Sequence, residues 1–213
     1  MPLRPIPEPT LRRLPLYYHH LKGLERQGIV LVSCTMIGKD LGLDPTQIRK
    51  DFETTEIVGK PKVGYGVPAL IRAIESCLGW NQTKAAVIAG AGSLGRALLQ
   101  FKDFSSFGLR VVAIFDAEEN IGHQVDGLEV LPLGFLPDLA RLLKVRIGIL
   151  TLPAMVAQHA AELMLKGGVR AVWNFAPVAL RVPPDVIVQN EDLYYSLAAL
   201  SAKLARSEGE QGS

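Results

Sequence analysis

The chain has 213 residues with 23 Lys/Arg against 21 Asp/Glu, and a net charge of +2 does not by itself announce a nucleic-acid protein. Two cysteines, Cys34 and Cys77, lie far apart without a C-x-x-C, which argues against a disulfide framework and against a zinc site. No apolar run approaches the roughly 18 residues of a membrane span and no signal peptide is evident, so the expectation is a soluble, cytoplasmic protein without membrane or metal, with ample apolar content for one large or two small domains.

The charge is unevenly spread. Residues 1–66 hold 10 Lys/Arg and 7 Asp/Glu, net +3, and the remainder holds 13 and 14, net −1. Residues 1–9 are proline-rich and read as flexible. From Thr10, the apolar positions Leu11, Leu14, Leu16, Tyr17, Leu21 and Leu24 predict an amphipathic helix ending near Gln27-Gly28, although Pro15 belongs in a first turn and not in an interior. After the apolar run Ile29–Val32, Ser33 or Thr35 can cap a short helix that stops at Gly42. Asp44-Pro45 then opens a second helix, with Asp as N-cap and Pro at the first position. That outline is a helix-turn-helix. Its second helix offers Thr46, Gln47, Arg49 and Lys50 to a nucleic acid, and Ile48 and Phe52 to the core. Ile57–Val67 alternates glycines with Lys60, Lys62 and Tyr65 and reads as a β-wing whose lysines reach phosphate or minor groove. A small solvated helical module with a surface hairpin is the alternative reading of both segments.

Leu70–Leu78 predicts a helix, and Gly79-Trp80-Asn81-Gln82 a hinge. Ala85–Ala89 is a buried strand, followed by Gly90-Ala91-Gly92-Ser93-Leu94-Gly95, which spells G-x-G-x-x-G. The glycines supply a tight turn, close backbone approach to a pyrophosphate and close helix–strand packing. The next helix carries apolar Leu94, Ala97, Leu98 and Phe101, and the N–H groups of its first turn suit phosphate. A second strand, Arg110–Phe115, ends on Asp116, placed to accept from ribose hydroxyls. Ala117, Glu118 and Glu119 follow without Arg or Lys, which favours NAD over NADP. The αβ alternation continues with a strand at Leu128–Leu131, a helix at Phe135–Leu143, a strand at Ile147–Thr151 and a helix at Met155–Leu165. Strands Ala171–Phe175 and Val186–Val188 come next, and a final helix at Glu191–Ser207 precedes a frayed polar end. The strand ends Thr151-Leu152-Pro153 and Asn174-Phe175-Ala176-Pro177 face the nicotinamide half of a dinucleotide bound at Gly90–Gly95.

These pieces resemble the Rex family of redox-sensing transcriptional repressors. The resemblance rests on Arg13-Leu14-Pro15-Leu16-Tyr17-Tyr18, Gln47-Ile48-Arg49-Lys50-Asp51-Phe52, Val63-Gly64-Tyr65, Gly90–Gly95, Phe115-Asp116, Thr151-Leu152-Pro153 and Asn174–Pro177, in order from about Thr10 to Leu204. It implies an α/β homodimer with three parts: a winged-helix DNA-binding domain at 1–79, a Rossmann-like parallel-sheet NAD(H)-binding domain at 80–190, and a swapped C-terminal helix with its tail at 191–213. It further implies a repressor of respiratory and fermentation genes that binds operator DNA when free or NAD-bound, lets go when NADH binds, and catalyses nothing. The DNA-binding set is then Ser33, Thr35, Thr46, Gln47, Arg49, Lys50, Lys60, Lys62 and Tyr65. The cofactor set is Gly90–Gly95, Phe101, Asp116, Thr151, Leu152, Pro153, Asn174, Phe175 and Ala176.

The chain departs from the family pattern in places. Glu53–Gly59 brings two acids beside the DNA face, and Pro61 takes a basic wing position, which bears on operator sequence or affinity. His19 stands where some relatives carry an arginine that pairs with an acid of the partner's last helix, here Asp192, followed by Leu193 and Leu197 in the same interface. A His–Asp pair titrates near neutrality as Arg–Asp does not. Ser93 and Phe101 replace an arginine and a tyrosine found near the cofactor in some relatives. Two other readings stay open from the residues alone. An NAD-dependent oxidoreductase with a helical appendage needs an acid–base group at the nicotinamide, and His19, His20, His123 and His159 form no such constellation. A CoA- or nucleotide-binding module shares the strand–glycine–helix start but leaves Asp116 and the helix-turn-helix unexplained.

Overall fold

The computed structural model describes residues 6–117 and 120–211, without the side chains of Leu193 and of residues 208–211. The start of the proline-rich leader (1–5), the acids Glu118 and Glu119, the Leu193 side chain and the tail beyond 211 therefore lie outside the described residues. The chain divides into two compact units, one running to Thr83 and including Ser106–Gly108, the other holding Lys84–Ser105 and the chain from Leu109 onward.

The first unit is built from α1 (Glu8–Arg26), β1 (Leu31–Val32), α2 (Cys34–Leu41), α3 (Pro45–Glu53), β2 (Tyr65–Gly66) and α4 (Val67–Leu78). Local chemistry sets the boundaries. The Ser33 hydroxyl accepts from the Met36 N–H at 3.1 Å to open α2, and Gly42 closes it in the left-handed conformation. Asp44 accepts from the Thr46 N–H at 2.7 Å ahead of Pro45, opening α3. Two expectations need correction. Pro15 lies inside α1, which starts at Glu8. A helix-interior proline costs about 3 kcal/mol, a penalty offset by the stripe Leu14, Tyr17, Tyr18, Leu21 and Leu24 that the same helix buries. The wing over 57–67 is mostly loop. β1 and β2 pair antiparallel over two residues each, and a bridge from Lys60 to Gly64 closes the turn that carries Lys62. Leu14, Tyr17, Leu21, Ile37, Ile48, Phe52, Leu70 and Ile74 form the fully buried centre. Beside it Phe107 packs on Trp80 and Trp80 on Tyr18, with ring centroids 4.7 and 5.1 Å apart.

The second unit contains β3 (Lys84–Ala89), α5 (Ser93–Leu99), β4 (Leu109–Asp116), β5 (Gln124–Val125), β6 (Leu128–Pro132), α6 (Leu136–Leu142), β7 (Ile147–Leu150), α7 (Ala154–Lys166), β8 (Ala171–Asn174), β9 (Ile187–Asn190) and α8 (Leu193–Gln211). The seven-stranded sheet runs β5-β6-β4-β3-β7-β8-β9. All pairs are parallel except β5–β6. With β5 set aside this is the doubly wound dinucleotide-binding order, and its direction reverses between β3 and β7. Short β5 was not anticipated, although Asp126-Gly127, both at positive φ, is a two-residue hairpin turn legible in the sequence. α6 and α7 bury one sheet face around Phe115, Leu136, Leu150 and Met164. The other face centres on Ile88, Ile114 and Ile149 beneath Leu98 and Leu99 of α5.

Two further differences bear on the site. Phe101 is not on α5: the helix ends at Leu99, and the Phe101 N–H turns back to the Leu98 carbonyl at 3.2 Å. Helix α8 extends to Gln211, and Tyr194, Tyr195, Leu197, Leu200 and Leu204 on it are each more than half exposed. Among the described residues no helix is long and apolar enough to cross a membrane.

Candidate functional site

In the first unit, six of the nine residues expected at DNA line one cleft. Ser33 and Thr35 come from the start of α2, Arg49 from α3, and Lys60, Lys62 and Tyr65 from the wing, around a volume of about 480 Å³. Three cations, two hydroxyls and a phenol facing a common concavity suit a phosphate backbone. Thr46 and Lys50 are exposed on α3 outside this cleft. Gln47 is placed differently: its amide donates to Asp51 at 3.1 Å. The cleft also holds Cys34, which sequence reasoning passed over; burial pushes its thiol up, against the pull of Arg49 beside it.

Asp51 is the second residue that sequence reasoning undervalued. It is 1% exposed and accepts from Arg13 at 2.7 and 2.8 Å, from Tyr17 at 2.7 Å and from Thr10 at 2.9 Å. Burial alone would raise its pKa, but the hydrogen bonds from Arg13, Tyr17, Thr10 and Gln47 prevail and hold it below the usual carboxylate range. Burial and the same carboxylate push the Tyr17 phenol up. Close by, burial and Glu75 push Tyr18 up to about 12.

In the second unit, Gly90–Gly95 lies at the C-terminal end of β3, next to Thr151 at the end of β7, where the sheet order reverses. The glycines divide their work. Gly90 sits at φ +117, and a Cβ there would come 2.5 Å from the Thr151 hydroxyl. A Cβ on Gly95 would overlap the Gly90 carbonyl. Around Gly92 nothing lies within 4 Å of that position, so its face is open to a ligand while the other two are consumed by packing. Ser93 and Leu94 are exposed on the same first turn, and Ala91 is buried. The Thr151 hydroxyl is within 2.9 Å of the Gly90 carbonyl and 3.2 Å of that of Ala89, tying the two strand ends together.

Asp116 closes the cradle. Its carboxylate accepts from the Ala91 N–H at 2.7 Å, from the Asn120 amide at 2.8 Å and from its neighbour's N–H. Arg96 donates to Asn120 at 2.8 Å and to the Ala91 carbonyl at 2.6 Å. Arg96 and Asn120 were not foreseen, because neither belongs to the glycine motif. A carboxylate has about four acceptor positions, so Asp116 retains capacity for a ribose hydroxyl. The open face at Gly92 and this acid fit a dinucleotide.

The remaining expected residues fall into two groups. Leu152 is buried and Pro153 caps α7. Asn174, 1% exposed, donates to the Val178 carbonyl and to Asn190 and accepts from the Ala176 N–H, which clamps the loop after β8. Phe175 and Ala176 of that loop line a cleft of about 640 Å³ with Glu191, Asp192 and Leu197, so residues expected at the cofactor and at the subunit interface share one cavity. Rings run toward it: Phe101 on Phe104, Phe104 on Trp173 and Trp173 on Phe175, with centroids 5.0, 6.0 and 4.9 Å apart. Asp192 opens α8 by accepting from the Tyr195 N–H at 2.8 Å, and His19 packs on Phe107 in the first unit. No group of three or more His, Cys, Asp or Glu among the described residues is arranged to hold a metal ion.

Comparison with known proteins gives the family of the chain. A family model described as "Putative DNA-binding protein N-terminus" matches residues 5–53, and one described as "CoA binding domain" matches residues 81–178. The chain is 44% identical to the redox-sensing transcriptional repressor Rex of Treponema denticola, covering 92% of this chain and 94% of that protein. It is 42% identical to Rex of Bacteroides thetaiotaomicron, covering 95% and 93%. A solved structure of RSP in complex with β-NAD⁺ and operator DNA superposes with a TM-score of 0.92 at 31% identity, over 98% of this chain and 97% of that one. RSP in complex with β-NADH gives 0.85 at 31% identity, over 98% and 99%. With this identity over nearly its whole length, the chain belongs to the Rex family of redox-sensing transcriptional repressors, which are not enzymes.

Proposed function

We propose that this protein is a cytoplasmic homodimeric repressor that holds operator DNA when free or NAD-bound and releases it on binding NADH. The observation that carries the reading is the joint presence of the basic cleft at Ser33, Thr35, Arg49, Lys60, Lys62 and Tyr65 and the open-faced glycine cradle closed by Asp116. Arg49, Lys60 and Lys62 neutralise phosphates, and Thr46 and Lys50 on the outward side of α3 meet base edges. The cradle binds the pyrophosphate at Gly92 and the first turn of α5, and Asp116 accepts from the ribose. Phe101, the loop at Thr151–Pro153 and Asn174–Ala176 face the nicotinamide, whose ring charge and planarity differ between NAD and NADH.

The dimer supplies the coupling. Helix α8 leaves Leu197, Leu200 and Leu204 exposed, which suits a helix that packs on a second copy, with His19 of one subunit meeting Asp192 of the other. A dinucleotide that favours one dimer closure shifts the spacing of the two recognition helices, which must match successive major grooves. Equal affinity for the two closures would shift nothing. The test is selection of random duplexes by the pure protein with and without saturating NADH. Enrichment of a palindromic site that NADH displaces and NAD does not is the expected result. NADH binding without any enriched site would overturn the repressor reading and turn the search to a protein partner.

A further inference from the structure

Asp51 is a carboxylate on the helix assigned to DNA, yet it is 1% exposed and faces away from solvent. Its partners on α1 are Thr10, Arg13 and Tyr17, whose spacing of three and four places them in one stripe along that helix. Arg13 meets both carboxylate oxygens, Nε to Oδ2 at 2.7 Å and Nη2 to Oδ1 at 2.8 Å, the forked arrangement that fixes direction as well as distance. Gln47, one turn earlier on α3, donates to Oδ1 at 3.1 Å. The two apolar anchors of α3, Ile48 and Phe52, are fully buried, but apolar contact has no preferred direction. At about 100° per residue, Thr46, Arg49, Lys50 and Glu53 fall on the outward side of α3, and Gln47 and Asp51 share the flank toward α1.

The geometry points to Asp51 as the residue that positions the recognition helix, with Gln47 drawn into the same network as a second positioning residue and not a reader of base edges. This inference rests on the DNA-binding reading above. Asp51 sets the roll of α3 on α1, and so the direction in which Thr46, Arg49 and Lys50 leave the protein surface. Base-edge hydrogen bonds tolerate errors of only about 0.5 Å, whereas long cationic side chains still find phosphates after a small roll. Loosening the network therefore reduces preference for the operator more than affinity for DNA in general.

The test uses the full-length protein with Tyr17→Phe, Thr10→Val, Gln47→Ala and Asp51→Asn. Anisotropy at fixed salt measures affinity for the selected operator, its single-base-pair variants and a random duplex, with Tm and NADH affinity determined for each protein. Tyr17→Phe and Asp51→Asn are expected to lower the operator-over-random ratio about tenfold, with random-duplex affinity within about a factor of two and NADH affinity unchanged. Gln47→Ala is expected to weaken every operator variant alike and preserve their ranking. Relaxed preference at a single base pair in Gln47→Ala would make Gln47 a reader and overturn its assignment here. An unchanged operator-over-random ratio alongside a lowered Tm would reduce the network to structural support and overturn the proposal. Should Asp51→Asn fail to fold, Tyr17→Phe and Thr10→Val carry the same comparison, because each removes one donor and keeps the ion pair. If the wild-type protein selects no operator, the DNA-binding reading itself falls, and this inference with it.

Discussion

Each unit is organised around one acid, and the two acids work in opposite ways. Asp51 gathers side chains from two helices, and its donors on α1 lie 34 to 41 residues away in the chain. Asp116 gathers a backbone N–H of the glycine loop and an amide four residues on. The first acid is surrounded by protein donors and holds one element against another. The second holds a loop in shape while leaving acceptor capacity and an open face at Gly92 beside it. A saturated buried carboxylate serves the architecture, and a partly occupied one at a strand end keeps capacity for a ligand.

The sharpest break of that contrast is Asp51→Ala. Removing this buried carboxylate leaves Arg13, Tyr17 and Thr10 without their acceptor, and a loss of about 3–5 kcal/mol is expected in chemical denaturation of the first unit. Asp116→Ala should lower stability less, by about 1–3 kcal/mol, while weakening NADH binding measured by its fluorescence. Equal losses of stability from the two substitutions would erase the distinction.

Within the cradle, Gly95→Ala and Gly92→Ala separate packing from binding. The added methyl at 95 meets the Gly90 carbonyl, so Tm should fall and dinucleotide binding with it. At 92 the methyl meets nothing of the protein, so Tm should hold while NADH affinity drops about tenfold, some 1.4 kcal/mol. A Gly92→Ala protein with undiminished NADH affinity would place the pyrophosphate elsewhere.

Exposed α8 offers a third comparison. Leu200→Glu places a charge on a residue 65% exposed in the single chain, so the subunit should keep its fold while sedimentation shows the dimer dissociating. A dimer that persists would move the interface off α8.

The smallest expected effect is in acid. Asp51 is held below the usual carboxylate range, so its contribution to stability is complete above the unfolded value near about pH 4 and disappears as pH falls through the lower folded value. Tyr17→Phe removes one of the bonds that depress it, so the acid loss should begin at slightly higher pH in that variant, read by circular dichroism.

Much of the fold was legible because its signals are local. Ser33, Gly42 and Asp44-Pro45 delimit α2 and α3 through bonds that span three residues or fewer, or through a single backbone angle. The G-x-G-x-x-G run between a strand and a helix announced the cradle in the same way, and Asp126-Gly127 announced a hairpin that was passed over. Phe101 was misplaced because continuing apolar spacing does not say where a helix yields to a tighter turn.

The sequence by itself determined the order of elements, the helix caps and the glycine motif, since each depends on neighbours within a few positions. Only the tertiary structure decided that Gln47 turns to Asp51, that Arg96 and Asn120 brace the glycine loop, and that Phe175 and Asp192 line one cleft. Those outcomes depend on which donor reaches which acceptor when distant segments close in space, and periodicity along the chain carries no record of that choice.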